Sequence, residues 1–209
     1  MIVCLSVKRH LAEDFNFRKM KKLLLIVDVQ HDFIHGTLPV PDAEHAMDAL
    51  TEWLLGDAKN DYESIILTAD WHPTSHCSFT ENGGEWPSHC VQFSQGASIY
   101  GKILDALNDK HYEVLTKGVC EDHEEYSIWK NEESRYKLFK IIDVLGIEEI
   151  DICGLAGDIC VFNTLKDTLR LLPDVKVKFL KEFSPCIGDG NELNDFIMNS
   201  ERCVKENNC

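Results

Sequence analysis

Lys22-Leu23-Leu24-Leu25-Ile26-Val27-Asp28-Val29-Gln30-His31-Asp32-Phe33 opens with an apolar run, Leu23 to Val27, that stops on the carboxylate of Asp28. Side chains of a strand alternate between its faces, so a run with no polar alternation reads as a strand buried on both sides, the pattern of a parallel sheet. A carboxylate directly after such a strand is costly to bury unless something pairs with it. Asp28 is therefore a candidate functional residue from the outset.

Similar short apolar runs follow at Ser64 to Leu67, Glu113 to Leu115, Ile150 to Leu155 and Val175 to Leu180. Between them, Ala43, Ala46, Met47, Leu50, Trp53 and Leu54 repeat at helical spacing, as do Leu138, Ile141, Ile142 and Leu145, and Val161, Leu165, Thr168, Leu169 and Leu172. Strand and helix alternate, which predicts an α/β fold: a three-layer α/β/α sandwich around a mostly parallel, Rossmann-like sheet. Ligands of such sheets bind beyond the carboxyl ends of the strands. Asp28, then Asp70 and His72, then Lys117, then Cys160 stand after four successive predicted strands, so the topology delivers them to one edge.

At 209 residues with 44% hydrophobic and 27% charged side chains, the chain reads as one globular domain, with residues 1–21 as an N-terminal extension. Its 36 acidic against 21 basic residues, a net charge of −15, disfavour nucleic acid and anionic membrane as partners. The apolar runs fall short of a membrane span, and the charged N-terminal stretch does not read as a secretory signal. Nine cysteines, odd in number and irregularly spaced, make a disulfide framework the weaker reading and fit a reducing cytoplasm.

Each candidate has a plain reading beside the chemical one. Cys160, in Gly154-Leu155-Ala156-Gly157-Asp158-Ile159-Cys160, sits where a helix should start, and the helix dipole there favours a nucleophilic thiolate; buried cysteines also simply fill space. Asp28 can take the thiol proton or only accept loop hydrogen bonds. Lys117 can hold both in their charged forms or be solvated. Asp70 and His72, with His76 and His89 further on, are sound ligands for a borderline divalent metal. Cys77 and Cys90 keep a closed structural Cys/His zinc site open as an alternative.

The ordered set Leu25-Ile26-Val27-Asp28-Val29-Gln30 with Asp32-Phe33, Asp70-Trp71-His72-Pro73 with His76, Trp86-Pro87-Ser88-His89-Cys90, Lys117-Gly118, Tyr126-Ser127 and Gly154 to Val161 resembles the nicotinamidase/pyrazinamidase branch of the isochorismatase-like cysteine hydrolases. The resemblance implies a metal-dependent amidohydrolase that converts nicotinamide, and pyrazinamide, to the acid and ammonia through a cysteine thioester, serving NAD salvage. It implies a catalytic triad of Asp28, Lys117 and Cys160 and an oxyanion hole from the amides of Ala156 and Cys160, with a cis peptide before Ala156. It also implies one divalent metal ion (zinc, iron or manganese) on Asp70, His72 and His89, with His76 as a further ligand or a partner of the ligands, and a substrate pocket walled by Phe33, Trp86 and Tyr126. Gly157 departs from the family, where threonine is common. Nicotinamide is the expected partner, with a homo-oligomer also open. The competing readings are a superfamily hydrolase acting on another amide or a vinyl ether, and a non-catalytic zinc or redox sensor.

Overall fold

The computed structural model describes residues 19–200 and 202–204; all but the last three residues of the expected N-terminal extension, and Cys209, lie outside them. Its elements run β1 (Lys22–Val27), α1 (His31–Ile34), α2 (Ala43–Leu55), β2 (Ser64–Asp70), α3 (Gly101–Ala106), β3 (Glu113–Lys117), α4 (Glu132–Leu145), β4 (Glu149–Gly154), α5 (Phe162–Leu171), β5 (Lys176–Phe179), α6 (Asn191–Asn199) and β6 (Cys203–Val204). The strands form a single sheet in the order β3-β2-β1-β4-β5-β6, and every pairing is parallel. The expected parallel α/β sheet is present, with one short strand, β6, that the apolar pattern does not announce.

β1 displays the reason. Leu24 and Ile26 pack with α2 residues Met47, Leu50 and Leu54 and with Ile103 of α3 on one face. Leu23, Leu25 and Val27 pack with α4 residues Leu138 and Ile142, α5 residues Leu165 and Leu169 and Leu193 of α6 on the other. All five of these β1 positions are buried because helices cover both faces, which is why alternation is absent from the sequence. Among the described residues no helix is long and apolar enough to cross a membrane.

After β3 the chain returns to the opposite side of β1 through α4, so the strand order reverses between β1 and β4. That reversal opens a crevice beyond the carboxyl ends of these two strands. Their close approach is sealed by Gly154, which ends β4 at φ 126°; a Cβ there would stand 2.0 Å from the Val27 carbonyl oxygen. Only glycine fits both the conformation and the space.

One polar group lies inside the α2 face. Asp151 of β4 accepts a 2.6 Å hydrogen bond from the Tyr62 hydroxyl through Oδ2, while Oδ1 is buried with no partner. Burial raises the Asp151 pKa, only partly offset by the Tyr62 hydrogen bond and by Lys22. A carboxyl raised on folding costs stability once the pH exceeds its ordinary range, and the cost vanishes when the pH falls below that range. Asp151→Asn is therefore expected to melt at higher temperature than the parent at pH 8, with the gap closing as the pH falls toward 4. Thermal melts across that range check it, and a destabilised variant at pH 8 would show that Lys22 outweighs burial.

Candidate active site

The crevice gathers what the strand ends deliver. Parallel register sets Asp70, the last residue of β2, opposite Lys117, the last residue of β3. Asp28 follows β1 directly, and its positive φ of 48° turns the chain out of the sheet. The Lys117 ammonium is fully buried, 2.8 Å from Asp28 Oδ2, 2.5 Å from Asp70 Oδ1 and 3.5 Å from Cys160 Sγ. The three expected triad residues thus meet at one point, with Asp70 as a fourth member.

Burial alone would strip the proton from Lys117, but Asp28 and Asp70 carry its pKa well above the ordinary value. Burial lifts Asp28 upward against the pull of Lys117, and Asp70 adds to the rise. The Cys160 thiol is pushed well up: burial dominates, Lys117 opposes it, and Asp28 and Asp70 reinforce it. Cys160 lies in the turn Gly157–Val161 that leads into α5, as foreseen, but dehydration beside two carboxylates outweighs the dipole of a helix start. The thiol needs a base, and Asp28 is in place to be one.

Across the crevice, the nearest ligand atoms of Asp70, His72 and His89 all lie within 4.8 Å of one another. Each histidine is fixed by its other nitrogen: His72 Nδ1–H donates to the Gly118 carbonyl at 2.8 Å and His89 Nδ1–H to the Pro87 carbonyl at 2.8 Å. That tautomer leaves the Nε2 lone pairs free, and His72 Nε2 is buried without a hydrogen-bond partner. Burial, with His76 and His89 adding to it, lowers the His72 pKa to about 2, so the imidazole is neutral, as a ligand must be. Two carboxylates face a single ammonium in this cluster, and a cation would balance the excess. The residues present fit a divalent metal ion.

His76 is placed differently. Its ring lies 4.1 Å from that of His72, but its ligand atoms group with His72 and Glu124 rather than with Asp70 and His89. Ser78 donates its amide to His76 Nδ1 at 3.3 Å with its hydroxyl 2.7 Å away. The His76 Nε2, like that of His72, is buried without a hydrogen-bond partner. Cys77 and Cys90 join no such group and both are free, so they form neither a closed Cys/His site nor a disulfide.

A cavity with an empty volume of about 370 Å³ connects the two halves. Phe33, Trp86 and Tyr126 wall it as expected, with the Trp86 indole N–H donating to the Tyr126 hydroxyl at 3.0 Å, and Asp70, His89, Ala156 and Cys160 also line it. The peptide before Ala156 is cis, as the family likeness implied. Leu38, Val40, Glu124, Ile159 and Ile187 complete the lining. Sequence reading assigned none of these five to the site; Glu124 left a signal, as a carboxylate two residues before Tyr126. At Gly157 a Cβ would lie 2.3 Å from the Ser184 carbonyl oxygen, so the loop after β5 occupies the space that a threonine side chain would need.

Gly118 anchors the metal side. It has φ 63°, its carbonyl holds His72, and its amide donates to the buried Glu125 carboxylate at 2.7 Å. A Cβ there would sit 2.3 Å from the His72 ring. Gly118→Ala is expected to weaken zinc binding by about 10–100-fold, the usual effect of disturbing a ligand's orienting partner. Competition against a chromophoric chelator measures this, and an unchanged affinity would remove His72 from the ligand set.

The comparisons agree with this geometry. A family model described as the Isochorismatase domain matches residues 22–177. The nicotinamidase of Saccharomyces cerevisiae is 30% identical over 200 residues, covering 82% of this chain and 91% of its own. Among solved structures, the pyrazinamidase of Pyrococcus horikoshii in complex with zinc superposes with a TM-score of 0.72 at 29% identity, covering 88% of this chain and 99% of that one. PnC1 from L. infantum in complex with nicotinate gives a TM-score of 0.75 at 27% identity, covering 90% and 93%. With a site that carries the thiol, the buried acid–lysine pair and the metal-type trio on one parallel sheet, the chain belongs to the isochorismatase domain family.

Proposed function

We propose that this protein is a metal-dependent nicotinamidase, hydrolysing nicotinamide to nicotinate and ammonia and accepting pyrazinamide, with NAD salvage as its metabolic role. The observation that carries the reading is the pairing, across one small aromatic-walled cavity, of a thiol–carboxylate–ammonium cluster with an Asp/His/His set. The first supports amide cleavage, and the second supports capture of a ring nitrogen. A vinyl ether substrate has no use for the second, and a sensor has no use for the first.

Asp70, His72 and His89 would hold the metal, beside His76. When bound, the ion supplies a Lewis-acid anchor for a heteroaromatic nitrogen, and so for the ring's position. Phe33, Trp86 and Tyr126 offer flat faces to the ring and exclude water. The carboxamide then faces Cys160.

The chemistry runs on the chain's own groups. Asp28 takes the proton of Cys160 Sγ, and the sulfur attacks the carboxamide carbon, forming the C–S bond as the carbonyl pair moves onto oxygen. The amides of Ala156 and Cys160 receive that oxyanion. As it collapses, the C–N bond breaks and nitrogen takes the proton from Asp28 to leave as ammonia. Asp28 next deprotonates a water that attacks the thioester carbon; the C–S bond breaks, the acid departs, and the sulfur recovers its proton. Lys117 stays protonated throughout and holds Asp28 ionised between the two halves of the cycle. A base lifted above the ordinary carboxylate range is better matched to a thiol than a free aspartate.

Purified protein given nicotinamide is expected to release ammonia, to stop after chelation and to resume when metal returns. Cys160→Ala should abolish release, by at least about 10³-fold, while keeping the fold and the metal. No ammonia from the metal-loaded protein would refute the substrate, and a Cys160→Ala variant with most of the activity would refute the nucleophile.

A further inference from the structure

Thr68 belongs neither to the thiol cluster nor to the metal set, yet it is the residue that holds the base. It lies inside β2, two residues before Asp70, and is fully buried. The Asp28 amide donates to Thr68 Oγ1 at 3.2 Å and to the Thr68 carbonyl oxygen at 3.1 Å. Thr68 Oγ1 in turn lies 2.6 Å from Asp28 Oδ1. A hydroxyl has one hydrogen, and a donor already occupies its lone-pair side, so that hydrogen has to point at the carboxylate. One hydroxyl therefore grips Asp28 twice, at the backbone of its left-handed turn and at one carboxylate oxygen.

The two oxygens of Asp28 are thereby made unequal. Oδ1 is occupied by Thr68. Oδ2 is paired in charge with Lys117 at 2.8 Å and accepts no hydrogen bond among the described residues, which leaves its lone pairs open. We infer that Thr68 is a positioning residue for catalysis: its hydroxyl fixes the rotation of the Asp28 carboxylate and reserves Oδ2 for the Cys160 proton. Without the hydroxyl, the carboxylate can turn to present both oxygens to Lys117, and the thiol loses its reserved acceptor. A Thr in the middle of a strand would otherwise read as ordinary β-branched packing, which valine supplies equally well.

This inference rests on the thiol-amidase reading of the site, and its test separates the two. In the metal-loaded full-length protein, Thr68→Val is expected to lower kcat for nicotinamide by about 10–100-fold, with KM moved less than about twofold, because the hydroxyl serves proton transfer and not ring binding. The rate of Cys160 alkylation by iodoacetamide, read by peptide mass spectrometry, should fall in parallel, since thiolate formation governs it. Thr68→Ser, which keeps the hydroxyl and drops the methyl, should restore both. Wild-type rates in Thr68→Val, failure of Thr68→Ser to recover, or a loss that follows metal content would each overturn the assignment and reduce Thr68 to packing. Slower alkylation in Thr68→Val with recovery in Thr68→Ser, in a protein that releases no ammonia from nicotinamide, would uphold Thr68 and refute the substrate.

Discussion

A fully buried ammonium is the constraint on which the site depends. Lys117 has no access to water, and its charge is tolerable only because Asp28 and Asp70 stand within ion-pair distance on either side. Removing one partner of such a cluster costs about 3–5 kcal/mol, because the remaining charge stays buried and uncompensated. Three neighbouring strands must therefore end close together, with Asp28 directly after β1, Asp70 last in β2 and Lys117 last in β3. The cluster joins the two halves of the crevice as well: Lys117 reaches the thiol, while Asp70 serves Lys117 on one side and the histidines on the other.

Around that cluster, buried polar side chains fix loop backbone in place of regular structure. Gln30 takes the Asp70 amide on Oε1 at 2.7 Å and gives Nε2–H to the Asp70 carbonyl at 2.8 Å, so the aspartate is held from both ends of its peptide. Asp32 accepts from the amides of Thr37 and Cys90, at 3.1 and 2.7 Å, tying the segment that bears Phe33 to the one that bears His89. Asp158 accepts from the amides of Ile187 and Gly188 and so fastens the loop carrying a cavity wall to the nucleophile turn. Each of these carboxylates or amides is satisfied by backbone donors, which is how an irregular cavity rim is kept rigid.

The sheet was legible because burial on both faces leaves no polar alternation, as in Leu23 to Val27, and the site was legible because parallel sheets present their chemistry at strand ends. Elements held by little burial were not: α6 buries only Leu193, α3 spans six residues, and β6 has two. Local reading saw only part of what acts on Cys160. A helix start is a local feature and favours thiolate, whereas the carboxylates that oppose it come from strands far away in sequence. Glu124 and Thr68 escaped for the same reason, since an acidic loop residue and a β-branched strand residue look ordinary until the fold shows what they face. The family likeness, in contrast, put Ala156, Trp86 and Tyr126 at the cavity before any coordinates could.

Covalent attack by Cys160 is the claim that most of this account serves, and it can be observed directly. With protein in excess over nicotinamide, the reaction is quenched in acid within a single turnover and the peptides are mapped by mass spectrometry. The account predicts a pyridine-carbonyl adduct on Cys160, labile to hydroxylamine as a thioester should be and absent from the other cysteines. Product formation with Cys160 unmodified at every time point, or an adduct on a different residue, would contradict it.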